Sequence, residues 1–229
     1  MVRVLDKKIV EQAVRDGRML TMTTNTYFAE ERDHIDAILN HFLAAAGRPE
    51  LEDKLAYCIH ELANNAKKAN TKRVYFIEKN LDMENESEYW IGMRHFRRET
   101  VENIDYYQER LKDLGLHIKV QFKLDTAGLT IAIRNNVRLT PIERGKIEEK
   151  IARSRAYRTL ADAYASIEDT SEGAGLGIVM MIIMLRNLGL SERIIRFFSQ
   201  EAETVVLLNI PNTCPQRTPQ PISDTPELS

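Results

Sequence analysis

His60-Glu61-Leu62-Ala63-Asn64-Asn65-Ala66-Lys67-Lys68-Ala69 reads as part of a helix that keeps an apolar stripe beside a narrow polar one. At the 100° turn of a helix, Leu55, Cys58, Ile59, Leu62, Ala66 and Ala69 share one face roughly 100° wide, the width of a core-facing stripe. Glu61, Asn65 and Lys68 stand at i, i+4 and i+7 and stack in a line along the edge of that face. A carboxylate, an amide and a cation that border a core without entering it are placed to line a polar ligand pocket. His60 and Lys67 project roughly 100° away from this line and are expected to face solvent.

Upstream, Val4, Leu5, Ile9, Val10, Ala13 and Val14 predict a helix over 4–16, with Gly17 as its stop. Residues 18–25 are short and Thr-rich and read as an edge strand. A helix over about 27–46 points Ile35, Ile38, Leu39, Phe42 and Leu43 inward and ends at Gly47. Pro49 opens the central helix, which is expected to end near residue 69. Arg73-Val74-Tyr75-Phe76-Ile77 is β-branched and aromatic and predicts a strand.

Residues 80–115 interrupt the pattern as an insertion. Asp82 to Glu88 is acidic, and Tyr89 to Phe96, with the only Trp, reads as a short strand. Val101, Ile104, Tyr107, Leu111 and Leu114 then mark an amphipathic helix closed by Gly115. Alternation through Ile118, Val120, Phe122 and Leu124, the turn at 125–128 and the run Leu129 to Ile133 predict a hairpin. Thr140-Pro141-Ile142-Glu143 carries an N-cap, a first-turn proline and the Glu of a capping box. A basic helical region follows, then Gly173-Ala174-Gly175-Leu176-Gly177, an apolar helix over 178–188, and strands near 193–199 and 203–210.

Glycines let backbone N–H groups approach an anion, and a helix N-terminus adds partial positive charge, so the loop at 173–177 is a candidate phosphate cradle. Tight turns before helices select glycine too. Taken with the central helix, however, the loop forms a pair. Residues 60–69 resemble the N box of the GHKL ATPases (gyrase, the heat-shock chaperones, histidine kinases and MutL), and Gly173-Ala174-Gly175-Leu176-Gly177 resembles their second glycine box. The order of elements agrees over roughly 27–211 and is most similar to the histidine-kinase and anti-sigma-factor branch.

That resemblance implies an α/β (α+β) two-layer sandwich, with a mixed, mostly antiparallel sheet and helices on one face. It implies ATP with Mg²⁺ as cofactors. Asn65 would hold the metal, Glu61 would polarise water, Lys68 would meet a phosphate, and Gly173, Gly175, Leu176 and Gly177 would wrap the phosphates. Glu61 and Lys68 also fit a solvated helix-edge ion pair. Asn135 stands where the family places the Asp that accepts from the adenine amine, and an amide oxygen can still accept. Val137 and Leu139 replace two glycines of that box, so the adenine side is expected to be remodelled. The basic segment from Thr140 to Glu172 would be the lid.

No His outside the N box is followed by an acidic residue, so autophosphorylation is not expected; hydrolysis and transfer to a separate protein both stay open. The expected function is a stand-alone, atypical nucleotide-binding module in bacterial signalling. It would have a separate signalling protein as partner and a homodimer as an assembly it permits. The alternative is a degenerate fold kept as a non-catalytic interaction module. The net charge of -2 gives no reason to expect nucleic acid or an anionic membrane as partner. Two cysteines far apart and no apolar leader predict a reducing, cytoplasmic location. The divisions expected are 1–26 as lead-in, 27–211 as the ATPase-like domain and 212–229 as a disordered tail.

Overall fold

The computed structural model describes residues 7–165 and 176–212. Helix α1 (Lys7–Arg15), strand β1 (Leu20–Thr24) and helix α2 (Ala29–Ala45) precede the central helix α3 (Glu52–Glu78). Helices α4 (Glu86–Glu102) and α5 (Ile104–Asp113) lead to β2 (Ile118–Asp125) and β3 (Gly128–Asn135). Helices α6 (Pro141–Ala156), α7 (Leu160–Ala165) and α8 (Leu176–Asn187) come next, then β4 (Ile195–Gln200) and β5 (Glu203–Pro211).

The five strands lie in the order β1-β2-β3-β5-β4, and every neighbouring pair is antiparallel. Ile118, Val120 and Phe122 on β2, Ile131 and Ile133 on β3, and Val206, Leu208 and Ile210 on β5 point to one face. There they meet Ile35, Ile38, Leu39 and Phe42 of α2, Leu55, Ile59 and Leu62 of α3, and Met181, Ile182 and Leu185 of α8 in one core. The opposite face carries Lys119, Gln121, Thr130 and Arg134, with Lys119 and Arg134 both paired to Glu203. Period-two burial thus produces the expected two-layer sandwich with helices on one side.

The hairpin turns where expected: Asp125 pairs with Gly128, whose φ of 143° suits only glycine. The capping box of α6 also forms. Thr140 Oγ1 accepts from the Glu143 N–H at 3.2 Å, and Glu143 Oε2 accepts from the Thr140 N–H at 3.2 Å.

Two expected strands are helical. Residues 73–77 continue α3, because Val74, Tyr75 and Phe76 bury against Tyr89, Phe96, Tyr107 and Leu111 in a second, aromatic core. Tertiary packing overrides the β preference of those side chains. Residues 89–96 lie inside α4, which starts at Asn85, whose Oδ1 accepts from the Glu88 N–H. Tyr89, Gly92 and Phe96 fall at helical spacing on its buried side, and a Cβ at Gly92 would enter the Phe76 ring. The expected amphipathic helix over 101–114 is shorter than its pattern: α5 buries Tyr107 and Leu111, while Val101, Ile104 and Leu114 are exposed.

No helix among the described residues is long and apolar enough to cross a membrane. Gly173 and Gly175, and the tail from 213, lie outside the described residues.

Candidate functional site

A cleft with a volume of about 140 Å³ opens between α3 and the end of the sheet. Asn65, Lys68, Ala69 and Lys72 of α3 form one wall, and Glu143, Lys146, Ile147 and Lys150 of α6 form the other. Its floor is Ile133 and Asn135 of β3, Phe197 of β4, and Thr204 and Val206 of β5, with Ile178 of α8 at one side and Tyr89 of α4 closing another. The amphipathic edge seen in the sequence explains the first wall: the apolar stripe of α3 is in the core, which leaves the line through Asn65 and Lys68 at the cleft. The floor is largely apolar, and the rim is polar and cationic.

The expected residues separate into a front and a back. Asn65, Lys68 and Asn135 line the cleft. Glu61 stands behind Asn65, half-buried, and its Oε1 accepts from Asn65 Nδ2 at 3.1 Å. This hydrogen bond takes one of the amide's two N–H donors and turns Oδ1, a hard oxygen donor, away from Glu61. Gly177, in the first turn of α8, lies directly against the Glu61 carboxylate, and a Cβ there would overlap Oε1, Cδ and Cγ. Two segments more than a hundred residues apart in sequence therefore meet at one carboxylate. Leu176 does not line the cleft; it packs with Ala163, Val179 and Ile183 under α7.

A single amide oxygen suits a Mg²⁺ ion whose other ligands are phosphate oxygens and water. Among the described residues no group of three His, Cys, Asp or Glu could hold a metal by itself.

On the floor, Asn135 is buried, and its Nδ2 donates to Asn70 Oδ1 at 3.2 Å. Thr204 lies opposite Asn135 in the β3–β5 register, and its Oγ1 donates to the Val137 carbonyl at 2.7 Å. Val137 is buried and does not have positive φ, so the chain leaving β3 takes a path that needs no glycine.

The far end of the cleft holds charges that sequence reasoning missed. Arg73 grips Glu143 with two hydrogen bonds, 3.1 Å to Oε1 and 2.6 Å to Oε2, and Lys72 adds a third at 3.3 Å. Burial alone would raise the Glu143 pKa. The Arg73 hydrogen bonds, the Lys72 and Arg73 charges and the Thr140 N–H more than reverse that and hold it at about 2. Tyr89, fully buried, accepts from both Lys72 and Lys146 at 3.3 Å, and the Lys146 ammonium sits 4.3 Å over the Trp90 ring. The insertion thus supplies a wall of the cleft. Once 73–77 and 89–96 are read as strands, no helical spacing connects these residues.

His60 and Lys67 are not solvent-facing. His60 is buried; its Nε2 lies 2.9 Å from Asp36 Oδ1, and its Nδ1 lies 2.5 Å from the Tyr27 hydroxyl. With the imidazole proton on the Asp36 side, the Tyr27 hydroxyl donates. Burial lowers the His60 pKa and Arg32 adds to this, while the Asp36 carboxylate opposes both. Lys67 is half-buried with its ammonium 3.9 Å over the Phe28 ring, and burial lowers its pKa. The apolar face of α3 is wider than its hydrophobic residues alone indicate, because α2 and the chain leading into it cover the next positions too.

No family model matches this chain, and no solved structure matches it. It is similar to an uncharacterized protein of Treponema pallidum (strain Nichols), 38% identical over 208 residues, which cover 91% of this chain and 40% of the relative. The chain spans less than half the length of that relative.

Proposed function

We propose that the cleft binds a magnesium–nucleoside triphosphate, ATP in the first instance, and that the chain is an atypical GHKL nucleotide-binding module acting on or regulating a separate protein. The observation that carries this reading is convergence. Asn65 and Lys68 from the N-box-like helix and Asn135 from the end of the hairpin face one cleft, with Gly177 locked behind Asn65 through Glu61.

When bound, Mg-ATP would supply the triphosphate charge and a transferable phosphoryl group. The chain's part is to bind and orient. Asn65 presents an amide oxygen at the metal position, and Glu61 keeps that amide turned outward. Lys68 offers its charge at the rim, and the apolar floor around Ile133, Phe197 and Val206 excludes water from the base. Isothermal titration with Mg-ATP tests the reading. Binding in the micromolar-to-millimolar range, abolished by Asn65→Ala, supports it; a silent titration at millimolar nucleotide overturns it.

A second reading, a degenerate fold that serves as an interaction module, draws on the insertion. Trp90, Ile91 and Val101 on α4 and Ile104 on α5 are large apolar side chains that stand exposed. Light scattering with and without Mg-ATP separates the two: an assembly indifferent to nucleotide favours this reading.

A further inference from the structure

The polarity of the cleft floor is set from outside the cleft. A backbone carbonyl can only accept a hydrogen bond, and that of His117 accepts one from Asn70 Nδ2 at 3.1 Å. Asn70 is left to present its oxygen to its other neighbour, and Asn70 Oδ1 receives Asn135 Nδ2 at 3.2 Å. Asn135 is oriented in turn: Asn70 holds one of its two N–H groups, and a flipped amide would set oxygen against Asn70 Oδ1, which keeps Asn135 Oδ1 on the side away from Asn70.

The anchor of this chain is itself held. Asn25 Nδ2 donates to the Leu116 carbonyl at 2.7 Å, Asn136 Oδ1 accepts the His117 N–H at 2.7 Å, and Asn136 Nδ2 donates to the Gly115 carbonyl at 3.0 Å. Asn70 is 2% exposed and Asn135 4%, so solvent has little access to replace a lost partner.

Resting on the nucleotide reading above, we propose that Asn70 is a specificity-determining positioning residue. It locks the Asn135 amide with its oxygen toward the ligand, so that the cleft selects a base bearing an exocyclic amine over one bearing an oxygen at that position. An unanchored asparagine turns over about χ2 with almost no change of shape and serves an amine or a carbonyl equally well. The anchored one does not. A base carbonyl there meets Asn135 Oδ1 acceptor to acceptor and leaves both without a donor.

The test is a set of binding titrations with Mg-ATP and Mg-ITP, which differ at the six position of the purine, an amine in one and an oxygen in the other. The wild-type protein binds Mg-ATP at least about tenfold more tightly. In Asn70→Ala the preference collapses toward parity. In Asn70→Ala with Asn135→Asp it returns, because a carboxylate accepts whichever way it is turned. Equal affinities in the wild type, or an undiminished preference in Asn70→Ala, overturn the assignment while leaving nucleotide binding intact. Where Asn70→Ala fails to fold, Asn70→Ser, which keeps a polar group but is too short to hold both the His117 carbonyl and Asn135, is read in its place, and an undiminished preference there overturns the assignment. Binding of neither nucleotide overturns the nucleotide reading and this assignment together.

Discussion

Gly177 packs against the carboxylate of Glu61 so closely that no side chain fits between them. The contact joins the first turn of α8 to the polar edge of α3. It also sets the Asn65 amide, because Glu61 Oε1 accepts from Asn65 Nδ2. The obstruction to a Cβ is the end of a flexible side chain rather than backbone. Gly177→Ala is therefore expected to displace Glu61 and release Asn65 without unfolding the protein. Helix propensity favours Ala by up to about 1 kcal/mol, which offsets part of the strain. Stability should change by no more than about 1 kcal/mol, while Mg-ATP affinity falls at least about tenfold. Thermal melts and titrations on the same variant check both halves, and unchanged affinity would show that Glu61 does not orient Asn65 for the ligand.

Glu143 links pH to stability. Its pKa is lowered from the usual 4.5 to about 2, so its contribution is fully present above pH 4.5 and is lost as pH falls through 2. A shift of that size corresponds to about 3 kcal/mol. Glu143→Gln should lose a similar amount at neutral pH, since Arg73 and Lys72 are then left without their carboxylate. Its stability should also lack the wild-type decline between pH 4.5 and 2. Urea unfolding at several pH values reads this, and parallel wild-type and variant curves would contradict it.

His60 titrates in a different window. Its folded-state pKa is lowered from 6.5, chiefly by burial, so the unfolded chain takes up the proton first as pH falls. Stability should decline as pH drops below 6.5 and level off once the buried imidazole also protonates. His60→Gln keeps an acceptor for the Tyr27 hydroxyl and cannot titrate. Its stability should be flat between pH 7 and 5, measured by chemical denaturation.

In the insertion, Gly92→Ala places a methyl group against the Phe76 ring. The same change on an exposed helix would be stabilising. Here overpacking should dominate and cost about 1–3 kcal/mol. A urea midpoint at or above that of the wild type would show that α4 does not pack on α3 as described.

Much of this fold was legible in the sequence, and the exceptions share a cause. Ile35, Ile38, Leu39 and Phe42 could be placed because one period, against one neighbour, decides their burial. The hairpin and the α6 cap could be placed because their signals are local. Val74, Tyr75 and Phe76 could not, because three consecutive buried residues fit no amphipathic template. They are buried because α4 and α5 wrap the end of α3, a contact between segments with no common pattern. The site divides the same way. Asn65 and Lys68 could be placed on one line from helical spacing, but Asn70 and Tyr89 meet partners 65 and 57 residues away in sequence. A single buried asparagine at the end of an apolar stripe was the available signal for Asn70.

The most direct measurement is a crystal structure of the protein with Mg²⁺ and a non-hydrolysable ATP analogue. The base should lie on the floor formed by Ile133 and Val206 with its amine at Asn135 Oδ1, and the metal-bound phosphates should lie at Asn65 and Lys68. A cleft left empty at millimolar analogue, or an analogue bound elsewhere on the molecule, would show that this cleft is not a nucleotide site.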